Sequence, residues 1–484
     1  MRNVKLILPA DIKTQTGAYP PLGLGYISSY FKSQKVHCEI IDLSFDTDFS
    51  RIENILGQDM VYGITCTTAF YPIVKEITKI IKKNDPAGTV CLGGAHPTAL
   101  PELCLKDDKN TDVIVIGEGE YTMYDIVQNY HKSPDSIKGI YYRDRVGNII
   151  KTEPREPISD LDKLPFPDQS AFPIEEYFQK KGYRELTMVT SRGCPNDCVF
   201  CQPTLHKMFG KKTRFRSAEN VVDEMEWMVR RFDLDLIVFS DDTFTLSKKH
   251  TIEVCQEIIR RNLNILWRVQ TRVTTDRETM QIMKKAGCFL MAFGVESGSE
   301  AILNNIHKKI TIKQITDAFD TGKEVGILTY AFLMVGNEGE SEQTISETLK
   351  LIKRIKPYSG HVAITTPYPG THCYNSLKII NPDWSKYIHI ADDTVMFGIS
   401  TLSPENILKG KRAVESALTN NAKKIRDIIN LLKDGIIIKI LIRMSIKDMT
   451  FPVRAAKLFL YSIQKQGFRI INPKYSEPKP RKYE

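Results

Sequence analysis

Cysteine, tryptophan and long uncharged apolar runs are all scarce in this chain of 484 residues, which holds 10 Cys and 3 Trp. So few cysteines, at spacings that form no even framework, exclude a disulfide-stapled secreted scaffold and point to a reducing compartment, the cytoplasm. No stretch of about 18 apolar residues lacks a charge, which argues against a membrane-spanning helix. The apolar run at the start, Val4–Pro9, is too short for an export signal and reads as a first buried strand. Export is therefore not expected. There is no internal repeat. With 42% hydrophobic and 26% charged residues, the chain is neither disordered nor fibrous, and its length suits about three cores.

Charge is unevenly spread. The formal net charge is +9, yet the stretch from Ser376 onward carries 20 Lys and Arg against 10 Asp and Glu, leaving −1 for everything before it. Segregated basicity of this kind excludes a general nucleic-acid binder and marks either a solvated face or a local surface for an acidic partner or anionic lipid head groups.

Residues 1–135 alternate short apolar runs with helical stretches. Strands are expected at Val4–Pro9, Val36–Asp42, Met60–Cys66, Thr89–Gly94 and Asp112–Gly117, with helices such as Leu22–Phe31 and Tyr71–Lys82 between them. Five buried strands with helical crossovers predict a doubly wound parallel sheet. Ligands of such sheets sit at the carboxyl ends of the strands. Those ends carry Pro20-Pro21-Leu22-Gly23, Thr65-Cys66-Thr67, Gly93-Gly94 and Gly117-Glu118-Gly119, where small residues let a bulky ligand approach the backbone or simply form tight turns. Residues 136–180 read as a hairpin, Ile137–Thr152, followed by a proline-punctuated connector. From 181 to 375 a second series of six strand–helix units predicts an open barrel. Residues 376–472 are largely helical and basic, and 473–484 have the composition of a disordered tail.

The sharpest signal lies just after the first strand of that barrel: Cys194-Pro195-Asn196-Asp197-Cys198-Val199-Phe200-Cys201. Three thiols within eight residues of loop converge on a soft metal centre. Zinc and an iron–sulfur cluster both use such ligands. A structural zinc needs a fourth protein ligand, for which His206 is the nearby candidate, whereas a four-iron cluster held by three cysteines keeps one iron open.

Cys-x3-Cys-x-aromatic-Cys after a barrel strand resembles the signature of the radical S-adenosylmethionine (SAM) enzymes. The resemblance implies that Cys194, Cys198 and Cys201 hold a 4Fe-4S cluster whose open iron is chelated by SAM. It places Phe200, Asp241, Asp242, Glu296, Ser297, Gly336 and Gly339 around the cosubstrate, and it implies a reducing partner such as flavodoxin or ferredoxin. The order of domains, a Rossmann-like module and then this partial (β/α)6 barrel, resembles the cobalamin-binding subclass over roughly residues 1–375. Pro21, Leu22, Gly23, Thr65, Thr67, Gly93, Gly94, Gly117, Glu118 and Gly119 are then the expected cobalamin contacts. The Asp-x-His-x-x-Gly motif, by which methionine-synthase-type domains bring a histidine to cobalt, is absent, so no histidine is expected on cobalt from it. The function this implies is methylation of an unactivated carbon or another poor nucleophile. Radical cyclisation or rearrangement without methyl transfer is the alternative, and a non-catalytic metal- or cobalamin-binding regulatory module is the reading from another class.

Other residues carry lesser expectations. Cys66, Cys91, Cys104, Cys255 and Cys288 lie in apolar runs and read as buried small hydrophobes. His96 reads as a loop histidine bonded to the backbone. Cys373 lies in the loop expected at the barrel mouth. Tyr330, Arg268 and Arg272 fall on barrel strands, facing either inward or outward. The aliphatic, basic region from about Ile425 to Phe468 either covers the barrel's open side or docks on an anionic membrane holding a lipid-like substrate.

Overall fold

The computed structural model describes residues 3–9, 19–45, 50–377, 383–387 and 399–418. The first sheet contains β1 (Val4–Leu8), β2 (Cys38–Asp42), β3 (Val61–Thr65), β4 (Thr89–Gly93), β5 (Val113–Val115), β6 (Ile140–Arg143) and β7 (Ile149–Lys151). Its order is β2-β1-β3-β4-β5-β6-β7. The first five strands are parallel, as their alternation with helices requires. The hairpin β6–β7 extends the sheet antiparallel to β5, so the sheet is mixed at that edge.

Side chains alternate between two cores along these strands. Val4, Leu6, Val61, Cys91 and Val113 face one core, shared with Phe31 and Ile126 of the flanking helices and continuous with the core of the second domain. Ile7, Tyr62, Ile64, Val90 and Leu92 face the other, against Tyr71, Val74, Ile77 and Ile81 of helix Tyr71–Asn84.

The connector is more structured than its prolines suggest. It contains helix Ile174–Lys181 and buries Phe172, Ile174, Tyr177 and Phe178 in the shared core. Tyr177 donates to Asp42 at the end of β2 at 2.6 Å, pinning the connector to the first sheet.

The second sheet is wholly parallel: β8 (Glu185–Met188), β11 (Leu236–Phe239), β12 (Leu266–Thr271), β13 (Cys288–Glu296), β14 (Leu328–Val335) and β15 (Ser359–Ile364), in that spatial order. A short ribbon of β9 (Ser191–Arg192) and β10 (Arg214–Phe215) brackets the cysteine loop. Six strands with outer helices make the expected partial barrel. Its edge strand β15 is covered by helix Pro404–Leu418, which buries Ile407, Val414 and Leu418. The region from about Ile425 to Phe468, with its two expected roles, lies outside the described residues. Among the described residues no helix is long and apolar enough to cross a membrane.

Candidate functional site

The cysteine loop leaves β9 at the carboxyl end of β8. Gly193, at φ +94°, makes the turn, and a Cβ there would lie 2.9 Å from the Lys212 carbonyl oxygen, so only glycine fits. Cys194 and Cys198 are buried and Cys201 is half-buried. Asn196 donates to the Cys194 sulfur at 3.2 Å, and Arg272 reaches the Cys198 sulfur at 3.9 Å. Burial, then Asp242 and the other two thiols, push the Cys201 thiol up to about 12. A thiol so raised is stabilised as a thiolate once a metal centre shares its charge.

His206, the ligand a zinc would need, has its Nε2 2.8 Å from the Cys194 carbonyl oxygen. Among the described residues no trio of His, Cys, Asp or Glu closes around a single ion. With His206 turned to backbone, the three loop thiols are the donor set that a thiolate-held iron–sulfur cluster uses.

Asp241, at the end of β11, is buried and accepts from the Thr190 backbone N–H at 3.0 Å, the Thr190 hydroxyl at 2.8 Å and the Ser191 hydroxyl at 2.5 Å. It anchors the start of the cysteine loop. Burial raises its pKa, opposed by those hydrogen bonds. Asp242 follows it at the surface, its carboxyl raised to about 6 by desolvation from the surrounding protein and by Asp241. Glu296 sits at φ +64° and pairs with Lys308 at 2.6 Å, and that ammonium lies 5.8 Å from the Phe200 ring centre. Ser297 is fully buried within hydrogen-bond reach of the Ser299 N–H. The backbone N–H of Gly336 donates to Glu340, and its α-carbon faces Ile407 and Ile364. Gly339 is exposed, with Asn305 2.7 Å from the Cβ position. Asp242 and Gly339 are thus exposed and Phe200 is half-buried in the cysteine loop, while Asp241, Glu296, Ser297 and Gly336 are engaged inside the protein.

The strand ends of the first sheet divide in the same way. Gly23 has open space where a side chain would be, and at Gly93 the nearest atom is the Val115 Cβ at 3.8 Å. Pro21, Leu22 and Thr65 are partly exposed and Thr67 is exposed. β1 and β3 are paired neighbours whose following helices, Leu22–Ser33 and Tyr71–Asn84, pack on opposite faces, so these positions lie at the switch point of the sheet. Gly94 and Gly117 are glycines for another reason. Gly94, at φ +105°, would place a Cβ 2.9 Å from the Cys66 carbonyl oxygen, and Gly117, at φ +75°, would place one 3.2 Å from the Lys207 carbonyl oxygen. They let backbone meet backbone. Gly119 packs against Ile27. Glu118 is engaged by Arg192 at 2.8 Å and Arg214 at 2.9 Å, and Glu120 by Arg192 at 2.7 Å. A cavity of about 1010 Å³ opens beside Thr98, Gly117 and Met208, between this sheet, the hairpin and the helix after the cysteines.

His96 is fully buried, its Nδ1 3.3 Å from the Thr68 hydroxyl and its ring against Tyr71 and Trp384. The bond is to a side chain and not to backbone. Burial holds its pKa down at about 4. Cys373 brings its N–H to the Val199 carbonyl oxygen at 3.2 Å, so the loop after β15 closes on the cysteine loop. Burial pushes its thiol up to about 11.

Inside the barrel, Arg268 and Tyr330 lie on the inner face. Arg268 pairs with Glu185 at 3.2 Å and donates to the Tyr19 hydroxyl at 2.7 Å, and Tyr19 in turn donates to Glu185. Sequence reasoning missed this floor and the Arg192 clamp, because both join residues far apart in the chain.

The described geometry agrees with the comparisons. The family model described as the Radical SAM superfamily matches residues 188–352, and that described as the B12 binding domain matches residues 10–127. The chain belongs to the cobalamin-binding radical SAM enzymes. A Pyrococcus horikoshii protein named as an uncharacterized methyltransferase is 35% identical over 409 residues, covering 81% of this chain and 87% of that one. The anaerobic magnesium-protoporphyrin IX monomethyl ester cyclase of Rubrivivax gelatinosus is 31% identical over 389 residues, covering 77% and 69%. Among solved structures, the radical SAM methyltransferase TsrM from Kitasatospora setae, with cobalamin and a 4Fe-4S cluster bound, aligns at TM-score 0.66 and 19% identity over 77% of this chain and 74% of that one. That likeness shows the fold.

Proposed function

We propose that the chain methylates an unactivated carbon or another poor nucleophile of a small-molecule or lipid-like substrate. The observation that carries this reading is the Arg192 clamp, which ties the start of the cysteine loop to the ligand-binding edge of the cobalamin domain. When bound, the cluster and SAM supply a 5′-deoxyadenosyl radical, and cobalamin supplies a transferable methyl group.

The chain's own residues do the rest. Cys194, Cys198 and Cys201 hold the cluster. Phe200, Asp242, Glu296 and Gly339 line the cosubstrate's place, and Asp241, Ser297 and Gly336 act as positioning residues for it. Pro21, Leu22, Gly23, Thr65, Thr67 and Gly93 receive the corrin, with Gly94, Gly117, Glu118 and Gly119 shaping the loops around it. Arg268 and Tyr330 line the substrate chamber. A low-potential protein supplies the electron.

A second reading, cyclisation without methyl transfer, is favoured by the 31% identity to a cyclase. Anaerobically reconstituted protein, cobalamin, dithionite and methyl-labelled SAM, incubated with a small-molecule extract, separate the two. Label in a product other than cobalamin supports methyl transfer. 5′-Deoxyadenosine formed with a new unlabelled product supports cyclisation.

A further inference from the structure

The strands of the barrel all run one way and the outer helices return the other, so the carboxyl ends of those helices gather at the end opposite the cysteine loop. Three neighbouring helices, Arg277–Lys285, Ile312–Val325 and Glu342–Ile355, bring Lys285, Lys323, Lys350, Lys353 and Lys356 to that end. All five are exposed, and none forms an ion pair among the described residues. The carboxylates nearby are already engaged, Asp320 by Arg354 at 2.7 Å and Glu324 by Arg277. The last two turns of Arg277–Lys285 and of Glu342–Ile355 contain no Asp or Glu. The three ends make one surface: the Lys284 Cε lies 3.9 Å from the Cβ position of Gly326, just past the second helix, and the Arg354–Asp320 pair joins the second helix to the third.

A basic residue in the last turn of a helix complements the helix dipole. That suffices on the other side of the same barrel end, where Arg230, Arg260 and Arg261, at the ends of Ala218–Phe232 and Lys248–Arg260, meet Glu226, Glu257 and Asp223. Arg231 there lies over the Phe232 ring. The excess of positive charge is therefore one-sided. Helix Pro404–Leu418 runs along the barrel edge from Gly336, which Ile407 touches, to Gly360 at the start of β15, which Leu418 touches. It thus delivers the chain to this same end. The sequence after Leu418 holds 15 Lys and Arg against 5 Asp and Glu, together with the aliphatic runs Ile436-Ile437-Ile438 and Ile440-Leu441-Ile442. An acidic protein would select basic charge alone, whereas basic charge beside aliphatic runs matches a surface that is anionic outside and apolar beneath.

We infer that Lys285, Lys323, Lys350, Lys353 and Lys356 form the surface by which the chain docks on an anionic membrane. The inference is independent of the reaction proposed above. The cysteine loop lies at the far end of the strands, so docking anchors the enzyme while the barrel mouth faces away from the lipid.

The test sediments the full chain, reconstituted with cluster and cobalamin, with vesicles of phosphatidylcholine alone or of phosphatidylcholine mixed with phosphatidylglycerol. Lys323→Gln with Lys353→Gln and Lys356→Gln makes one variant, and Lys285→Gln with Lys350→Gln a second. The control, Lys79→Gln with Lys109→Gln and Lys132→Gln, removes the same charge as the first variant from exposed positions of the first domain. Each lysine close to an anionic surface contributes about a factor of five to partition. The expected result is that wild type and control bind the anionic vesicles, while the first variant partitions about 100-fold and the second about 10-fold or more less strongly at low salt. Salt should erode wild-type binding, and vesicles of phosphatidylcholine alone should hold much less protein. Wild-type partition in both variants would overturn the inference, as would equal losses in the control or a wild-type protein that stays in solution. Binding of soluble polyglutamate through these lysines without vesicle binding would also overturn it and give the face to an acidic protein.

Discussion

Arg192 donates to Glu120 at 2.7 Å, so the residue two positions before Cys194 is held by the first helical turn after β5 of the other domain. Both side chains are buried, and the guanidinium lies 4.7 Å from the Tyr26 ring. A buried pair is weak evidence for stability as a whole, but losing one partner strands the other charge without water.

Arg192 keeps Glu118 when Glu120 is removed, so Glu120→Ala should cost about 1–3 kcal/mol, read as a lower urea midpoint at unchanged slope. Glu120→Gln, which keeps an acceptor, should cost less. Equal midpoints for wild type and Glu120→Ala would show that the clamp contributes nothing.

Replacing Cys194, Cys198 and Cys201 together by alanine should abolish iron and sulfide uptake on anaerobic reconstitution. Iron and sulfide assays check this, and wild-type retention would refute the ligand assignment. Alanine at buried Cys255 or Cys288, whose thiols lie in the core, should leave uptake intact.

Gly93, the last residue of β4, and Gly94 after it should behave oppositely. Gly94→Ala meets a positive φ and a carbonyl oxygen and should destabilise the fold by about 1–3 kcal/mol. Gly93→Leu has space and should fold, yet weaken cobalamin binding by about 10-fold or more by filling the ligand's place. Thermal melts and equilibrium dialysis measure the two effects. Normal cobalamin affinity in Gly93→Leu would remove Gly93 from the site.

His96 gives a pH prediction. Its folded pKa of about 4 lies below the unfolded value of about 6.5. The fold thus prefers the neutral ring. Its contribution is fully present above about pH 6.5 and is lost as pH falls toward 4, by about 3 kcal/mol at the limit. His96→Phe should flatten that part of the stability profile relative to wild type. Parallel profiles from denaturant titrations at pH 4 to 7 would contradict the burial argument.

The sequence made local features legible. The cysteine spacing and the strand that precedes it survive in any reading, because the chemistry lies within eight consecutive residues. The parallel strands were readable from apolar runs because their side chains are buried on both faces. Glu118 was read as a ligand contact because a Gly-Glu-Gly turn at a strand end has that look. Its partner Arg192 is 74 residues away, and no local pattern announces a pairing at that separation. Gly94 and Gly117 carry the same lesson, since a glycine that admits a ligand and one that admits a neighbouring backbone are identical in sequence.

Tyr19 belongs to the cobalamin domain by its place in the chain, immediately before Pro20 and Pro21, yet its hydroxyl joins Arg268 and Glu185 within the barrel and Lys181 lies 3.1 Å from its ring centre. The two domains are consequently not interchangeable parts. A chimera that grafts a relative's cobalamin domain onto this barrel would leave Arg268 and Glu185 without the Tyr19 phenol unless the graft supplies it, so the polar network at the base of the barrel would depend on whichever parent donated the loop.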